Sequence, residues 1–260
     1  MIRRFFSALA FLTVLPVPGF LKSRSENGMF AGYPAAGLVI GALLAAVGSG
    51  AAWIFPPVVS SAVLVGVSLL LTGAIHLDGL ADCADAFYSR RDRDAVLRIL
   101  KDPRIGTMGG AAIGLSLLVR TASFISLPTG VLILALPIAS MFSRGAVLAA
   151  IRLLPYVRSE SGIISASAAT AHPRGAGLLV LAAASSLIAV VLLPVPVCAA
   201  LIALALFWRL SWRKIGGCTG DVLGATIEIA EIVFFLALAA VTKTVVQWGC
   251  FFPLLRLLPL

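Results

Sequence analysis

Charge is scarce in this 260-residue chain: Asp, Glu, Lys and Arg make up 12% of it, against about a quarter in soluble domains. That shortage excludes a soluble all-α domain, whose helices would need polar faces that are missing here. Histidine is scarcer still. His76 and His172 are the only two, too few and too separated for a histidine metal site. The four cysteines, Cys83, Cys198, Cys218 and Cys250, show no CxxC spacing, so they support neither a zinc site nor a disulfide framework. Internal repeats and low-complexity segments are also lacking. What the chain has in quantity is apolar sequence. Hydrophobic residues make up 60% of it, the mean hydropathy is +1.08, and the blocks reach the roughly 20 residues that cross a bilayer as helix. These features predict an all-α polytopic membrane bundle in one domain, 1–260.

Seven spans can be drawn, at roughly 34–55, 58–77, 108–127, 129–151, 175–193, 195–210 and 222–246. Pro56-Pro57, Pro128, Pro194 and Pro196 mark tight returns on one side. The long connections, 78–107, 152–174 and 209–221, all fall on the other. The N-terminal "MIRRFFSALAFLTVLPVPGF" has the basic start and apolar run of a leader, but no small-x-small cleavage site follows. It is expected to be a retained interfacial or half-membrane helix. The long connections and the N-terminus hold most of the basic residues, which puts the N-terminus in the cytoplasm and the C-terminus outside. The net charge of +9 therefore reflects topology and membrane contact rather than nucleic-acid binding. Within the first connection, "DRDAVLRILKD" reads as an amphipathic surface helix, with Asp92 as N-cap and Pro103 as its stop.

Six of the eleven carboxylates lie between Thr72 and Gly110. Asp78, Asp82 and Asp85, at offsets of 0, 4 and 7, share one helix face. At an effective dielectric near 20, each neighbouring pair of full charges repels by ~3 kcal/mol, so the trio calls for a compensating cation. Hard oxygen ligands in this number suit Mg²⁺, or Mn²⁺, brought with substrate phosphates. A solvated acidic face is the plainer reading, but the apolar Leu77, Leu80, Ala81 and Phe87 around the trio fit it poorly.

A second acidic group, Asp221, Glu228 and Glu231, sits in "GGCTGDVLGATIEIAEI" at the start of the last span. Intramembrane acids are costly and mark function. Two acidic helix ends facing one cation would explain both groups. Lys101 and Arg104 precede Gly106, Thr107 and Gly109, a helix start whose backbone N–H groups favour anions. Arg144 lies two turns inside the fourth span, where a structural ion pair and phosphate binding are equally good readings. Arg120, in mid-span, is expected to be structural. His76 either touches the site or makes an ordinary hydrogen bond. Metal, flanking cations and glycine-rich helix starts together point to phosphoryl transfer, with one carboxylate left to accept a proton from the attacking hydroxyl.

At "HLDGLADCADAF", "LKDPRIGTMGG" and "GGCTGDVLGA" the chain resembles the cobalamin synthase family, the adenosylcobinamide-GDP ribazoletransferases. Weaker matches in "FLTVLPVP", "GYPAAGLVIGALLA", "SRGAV" and "LPYVRSESGI" keep the family's order over nearly the whole length. The chain departs from the usual pattern at Ala86, where many relatives have Gly, and at Pro103, where Ser is common. The resemblance implies a bacterial plasma-membrane enzyme with a cytoplasmic active site. Its substrates would be adenosylcobinamide-GDP and α-ribazole or α-ribazole 5′-phosphate. It further implies Mg²⁺ held by Asp78, Asp82, Asp85 and Asp221, with catalytic roles for Asp82, Asp85 and Glu231. Lys101, Arg104, Thr107, Arg144, Arg158 and Thr219 become substrate or phosphate contacts, with His76 and Glu228 nearby. It leaves room for self-association, or for association with other enzymes assembling the same nucleotide loop. Two rivals remain at this level. A CDP-alcohol phosphotransferase would need an Ala-Arg pair after Asp78-Gly79 and a final Asp where Ala225 stands. A cation-coupled transporter would place its acids at the midplane, within a repeat.

Overall fold

The structure is a computed structural model, which describes residues 2–22, 29–157 and 176–248. Among these it contains ten α-helices and no strand. They are α1 (Ile2–Leu12), α2 (Tyr33–Ile54), α3 (Pro57–Thr72), α4 (Ile75–Tyr88), α5 (Arg93–Ile99), α6 (Thr107–Ile125), α7 (Thr129–Leu153), α8 (Ala176–Leu192), α9 (Pro194–Ile215) and α10 (Gly220–Trp248).

Five helical stretches are long and apolar enough to span a membrane: Met29–Ile54, Thr107–Ile125, Thr129–Leu153, Pro194–Ile215 and Gly220–Thr244. A sixth span is reached only if α3 and α4 count as one, and they meet at 90°. The expected count of seven is therefore not reached among the described residues. The expected span 58–77 stops early, because Gly73 and Ala74 both take left-handed backbone, with φ of 60° and 55°. The Gly73 N–H closes α3 on the carbonyls of Leu69 and Leu70, and the chain leaves at a right angle. The expected span at 175–193 is helical over its described part, Ala176–Leu192.

The core is built around α7, most of whose residues are buried. Helix α2 lies along it, with Gly37 against the Ser140 carbonyl and Gly41 against that of Leu136; small residues let helix backbones come this close. Helix α1 is amphipathic: it buries Ala8, Leu9 and Leu12 while Arg3 and Arg4 stay exposed. Its exit is tied down where the Val14 N–H donates to Leu71 O at 2.9 Å. Helix α5 also forms where expected. The Asp92 carboxylate accepts from Ala95 N–H as its cap, and Val96 and Leu100 are buried. Arg93 Nε donates to Ile215 O at 2.9 Å, placing a cation on the last carbonyls of α9, where the helix dipole favours it.

Candidate functional site

Helix α4 crosses the start of α10 at Gly79. A Cβ built there would stand 2.7 Å from Asp221 O and 3.1 Å from its Cα, so only glycine permits the crossing. The approach brings Asp78 and Asp221, 143 positions apart in sequence, onto the wall of one cavity of about 190 Å³. Asp78 is exposed and Asp221 half-buried, which marks their side as the open one. Phe30, Tyr33 and His76, on the same wall, are buried.

The start of α10 is held from two sides. Thr219 Oγ1 donates to an Asp221 carboxylate oxygen at 3.1 Å, and the Thr219 carbonyl accepts from Leu223 N–H. Thr219 thus caps the helix and orients its first acid. Just before it, the Cys218 N–H donates to Pro155 O at 2.8 Å and the Val157 N–H donates to Cys218 O at 2.9 Å. This two-bond strap ties the segment after α7 to α10 and carries Tyr156 to the cavity wall. Burial pushes the Cys218 thiol up to about 12, so it remains a neutral filler.

Asp85 engages the anion-favouring start of α6. Its two carboxylate oxygens accept from Gly106 N–H at 2.7 Å and Gly109 N–H at 2.8 Å, occupying amides at the positive end of the helix. Sequence reasoning assigned those amides to a phosphate, and here the anion is the protein's own. Asp85→Ala is expected to cost about 2–3 kcal/mol, the scale of hydrogen bonds to a charged group. It should also speed hydrogen exchange at Gly106 and Gly109; unchanged exchange there would show that the clamp contributes nothing.

Lys101 and Thr107 are exposed in the same connection, and Asp82 is half-buried one turn beyond Asp78. Arg104 turns to Asp102, its Nε and a terminal nitrogen standing 2.8 and 2.6 Å from the carboxylate. These bonds hold the Asp102 carboxyl down to about 2, so the pair opens only as the pH falls through that value. Arg158 lies outside the described residues.

Deeper in the bundle lies a buried four-charge network whose pairing the sequence did not disclose. Arg120 stands 2.6 Å from Glu228 and 3.5 Å from Glu231, and Arg144 pairs with Glu231. Ser143 Oγ donates to Glu231 at 3.0 Å, Ser140 is 3.4 Å from it, and Ser116 is 3.4 Å from Glu228. Two arginines and two glutamates cancel in net charge, and all four are buried. Glu231, expected to serve as ligand or base, is here the centre of ion pairs linking α6, α7 and α10. The available signal was Glu228 and Glu231 one turn apart on a span, matched by two mid-span arginines.

Among the described residues no three His, Cys, Asp or Glu side chains gather into a group able to hold a metal. Asp85 is turned to amides, leaving Asp78 and Asp221 as the carboxylates on the cavity wall. Two carboxylates are what Mg²⁺ uses when substrate phosphates and water complete its octahedron. The donor set therefore fits a metal that arrives with its substrate, not a closed protein cage.

A family model described as cobalamin-5-phosphate synthase matches residues 4–239. A protein of Chlorobaculum parvum named adenosylcobinamide-GDP ribazoletransferase is 40% identical over 254 residues, 89% of this chain and 93% of the relative. One of the same name from Pseudomonas savastanoi pv. phaseolicola is 38% identical, covering 90% and 98%. Another, from Klebsiella pneumoniae subsp. pneumoniae, is 37% identical, covering 92% and 100%. No solved structure matches the chain.

Proposed function

Because the chain belongs to the cobalamin-5-phosphate synthase family, we propose that it joins adenosylcobinamide-GDP to α-ribazole or its 5′-phosphate. The products are adenosylcobalamin, or its 5′-phosphate, and GMP. The observation that carries this reading is the meeting of Asp78 and Asp221 on one cavity wall. In the transfer, the ribose 3′-hydroxyl attacks the phosphorus bearing the cobinamide arm. A new P–O bond forms there as the bond to the bridging oxygen of the pyrophosphate breaks. GMP leaves with that oxygen, and the hydroxyl proton passes to a carboxylate.

Asp78 and Asp221 would hold the Mg²⁺ or Mn²⁺ that enters with the pyrophosphate; bound there, it would neutralise charge on the transferred group and the leaving oxygen. Asp82, one turn from Asp78 on the same face, is the carboxylate we assign to the proton. Asp85 fixes the loop that presents Lys101 and Thr107, which would meet the phosphates. The site lies at the cytoplasmic face of a bacterial plasma membrane, a placement supported by the exposed Arg90, Arg91 and Arg98 beside α5 and Arg209 and Arg213 on α9, at the end of the bundle where basic residues collect.

The test is GMP release by purified protein supplied with adenosylcobinamide-GDP, α-ribazole and Mg²⁺. Chelation should abolish it, and Asp82→Asn should lower it by ~100-fold or more, the range of a lost general base. No GMP from the wild-type protein, or full turnover by the variant, would sink the respective assignment.

A further inference from the structure

Helix α9 is long and apolar enough to span a membrane, and one side of it is open along its whole length. Val195, Ile202 and Leu206 are 47%, 63% and 65% exposed, and their spacing stacks them in one line on the helix. Continued past Leu206, that line reaches Arg209 and Arg213, both exposed, with the exposed Trp212 beside them. The opposite side, carrying Ala200, Leu204, Ser211 and Ile215, is buried. The two arginines therefore project toward the surrounding bilayer, not into the bundle.

Their position is more than the general bias of basic residues to one end of a membrane protein. Cations in connecting loops satisfy that bias, whereas Arg209 and Arg213 stand within the helix. From Val195 to Arg209 the axis rises ~21 Å, less than the ~30 Å of a hydrocarbon core. The Arg209 guanidinium must reach along the helix to the headgroup layer, where the abundant anion is phosphate. Helix α9 carries no acidic residue. On the neighbouring α5, Asp92 caps its own helix and Asp94 lies 3.7 Å from Arg93. The turn that presents the arginines is firmly seated on its protein side. Trp208 Nε1 donates to Thr226 Oγ1 at 3.0 Å, and Ser211 Oγ donates to Gly217 O at 2.6 Å.

We propose that Arg209, Trp212 and Arg213 form a binding site for an anionic phospholipid in the leaflet at this end of the bundle. The two guanidiniums, one turn apart, take the lipid phosphate in charge-assisted hydrogen bonds. Trp212 lies at the interfacial depth that indole favours, and the acyl chains run down the helix past Leu206 and Ile202. A zwitterionic lipid brings the same phosphate with a cation attached, so a headgroup of net negative charge binds better. The site is separate from the cavity at Asp78 and Asp221 and does not depend on the transfer reading.

The test uses the full chain in phosphatidylcholine bilayers containing a small, increasing fraction of lipid brominated high in its acyl chains, with tryptophan quenching as the readout. The chain has four tryptophans, so the Trp212 signal is the part lost in Trp212→Phe. Brominated phosphatidylglycerol should quench it at a mole fraction roughly 25-fold below that needed for brominated phosphatidylcholine, about fivefold for each arginine at an anionic headgroup. Arg209→Gln and Arg213→Gln should each remove about fivefold of that preference, and the double variant all of it. Arg98→Gln, an equal loss of charge on the exposed side of α5, should leave it within about twofold, because salt screens cations away from the lipid phosphate. Equal quenching by the two lipids in the wild-type protein, a comparison that needs no variant to fold, would overturn the site. So would a preference that survives the double variant, or one lost equally in Arg98→Gln, which would make overall charge the cause. A Trp212 that neither lipid quenches would also overturn it, and would point to a second copy covering this face.

Discussion

Replacing Glu231 with alanine is expected to destabilise the protein by about 3–5 kcal/mol, the cost of leaving a buried charge without its partner. Glu231 receives Arg144, the longer contact from Arg120, and the hydroxyl of Ser143. Its removal leaves Arg144, a residue only 2% exposed, without its carboxylate among helices packed at membrane depth. Breaking one member should therefore cost far more than replacing both. The double variant Arg144→Met with Glu231→Leu restores an apolar contact of similar volume, and it should recover most of the loss, because well-packed hydrophobic pairs often equal buried ion pairs. Titration from mixed micelles into a denaturing detergent, followed by loss of tertiary signal, reads both. A loss below about 1 kcal/mol for Glu231→Ala would show that water or lipid headgroups satisfy Arg144. The same measurement separates the two roles considered for this acid. A Glu231→Gln protein of wild-type stability and no turnover would return Glu231 to the chemistry.

Gly79→Ala should lower GMP release by ~100-fold with every carboxylate in place. The added methyl would meet Asp221 O at 2.7 Å and its Cα at 3.1 Å. Both are backbone atoms at a helix start, and they cannot swing aside as a side chain tip can. Helices α4 and α10 must separate, carrying Asp78 away from Asp221, and a displacement near 1 Å at a reacting centre costs on the order of 10²-fold. Gly110→Ala is the control, since a Cβ there meets nothing within 4 Å. The comparison is kcat for the two variants at saturating substrates. A Gly79→Ala enzyme turning over near the wild-type rate would mean that the crossing distance does not set the chemistry.

Local signals were the ones that could be read in advance. The 0, 4, 7 spacing put three aspartates on one face of what is indeed a helix, and Asp92 marked the start of α5 because capping acts within a turn, whereas α5 ends at Ile99, ahead of the Pro103 expected to stop it. The positions of Asp85, Glu228 and Glu231 could not be read this way. Their partners lie 21 to 112 residues away, and helix periodicity carries no information about which face meets which neighbour. The corner at Gly73–Ala74 was hidden for a different reason. "LLLTGAIHLDGL" contains no proline, and an alanine at φ 55° is a conformation its side chain disfavours, so only the surrounding packing imposes it. Hydropathy ran straight through the corner and counted a span that the structure folds over.

That corner also bears on how the chain enters a bilayer. A continuous helix from Pro57 to Tyr88 would draw its aspartates toward the hydrocarbon, at about 2.5–3.5 kcal/mol for each one reaching the centre of an inserting segment. With the turn in place, the apolar α3 is set at a right angle to the acid-bearing α4. Helix α4, at 90° to it, stays behind at the aqueous boundary until α10 is synthesised and supplies the surface that Gly79 fits. The acids would then remain hydrated throughout synthesis, and the paired wall of Asp78 and Asp221 would be among the last features of the nascent chain to form.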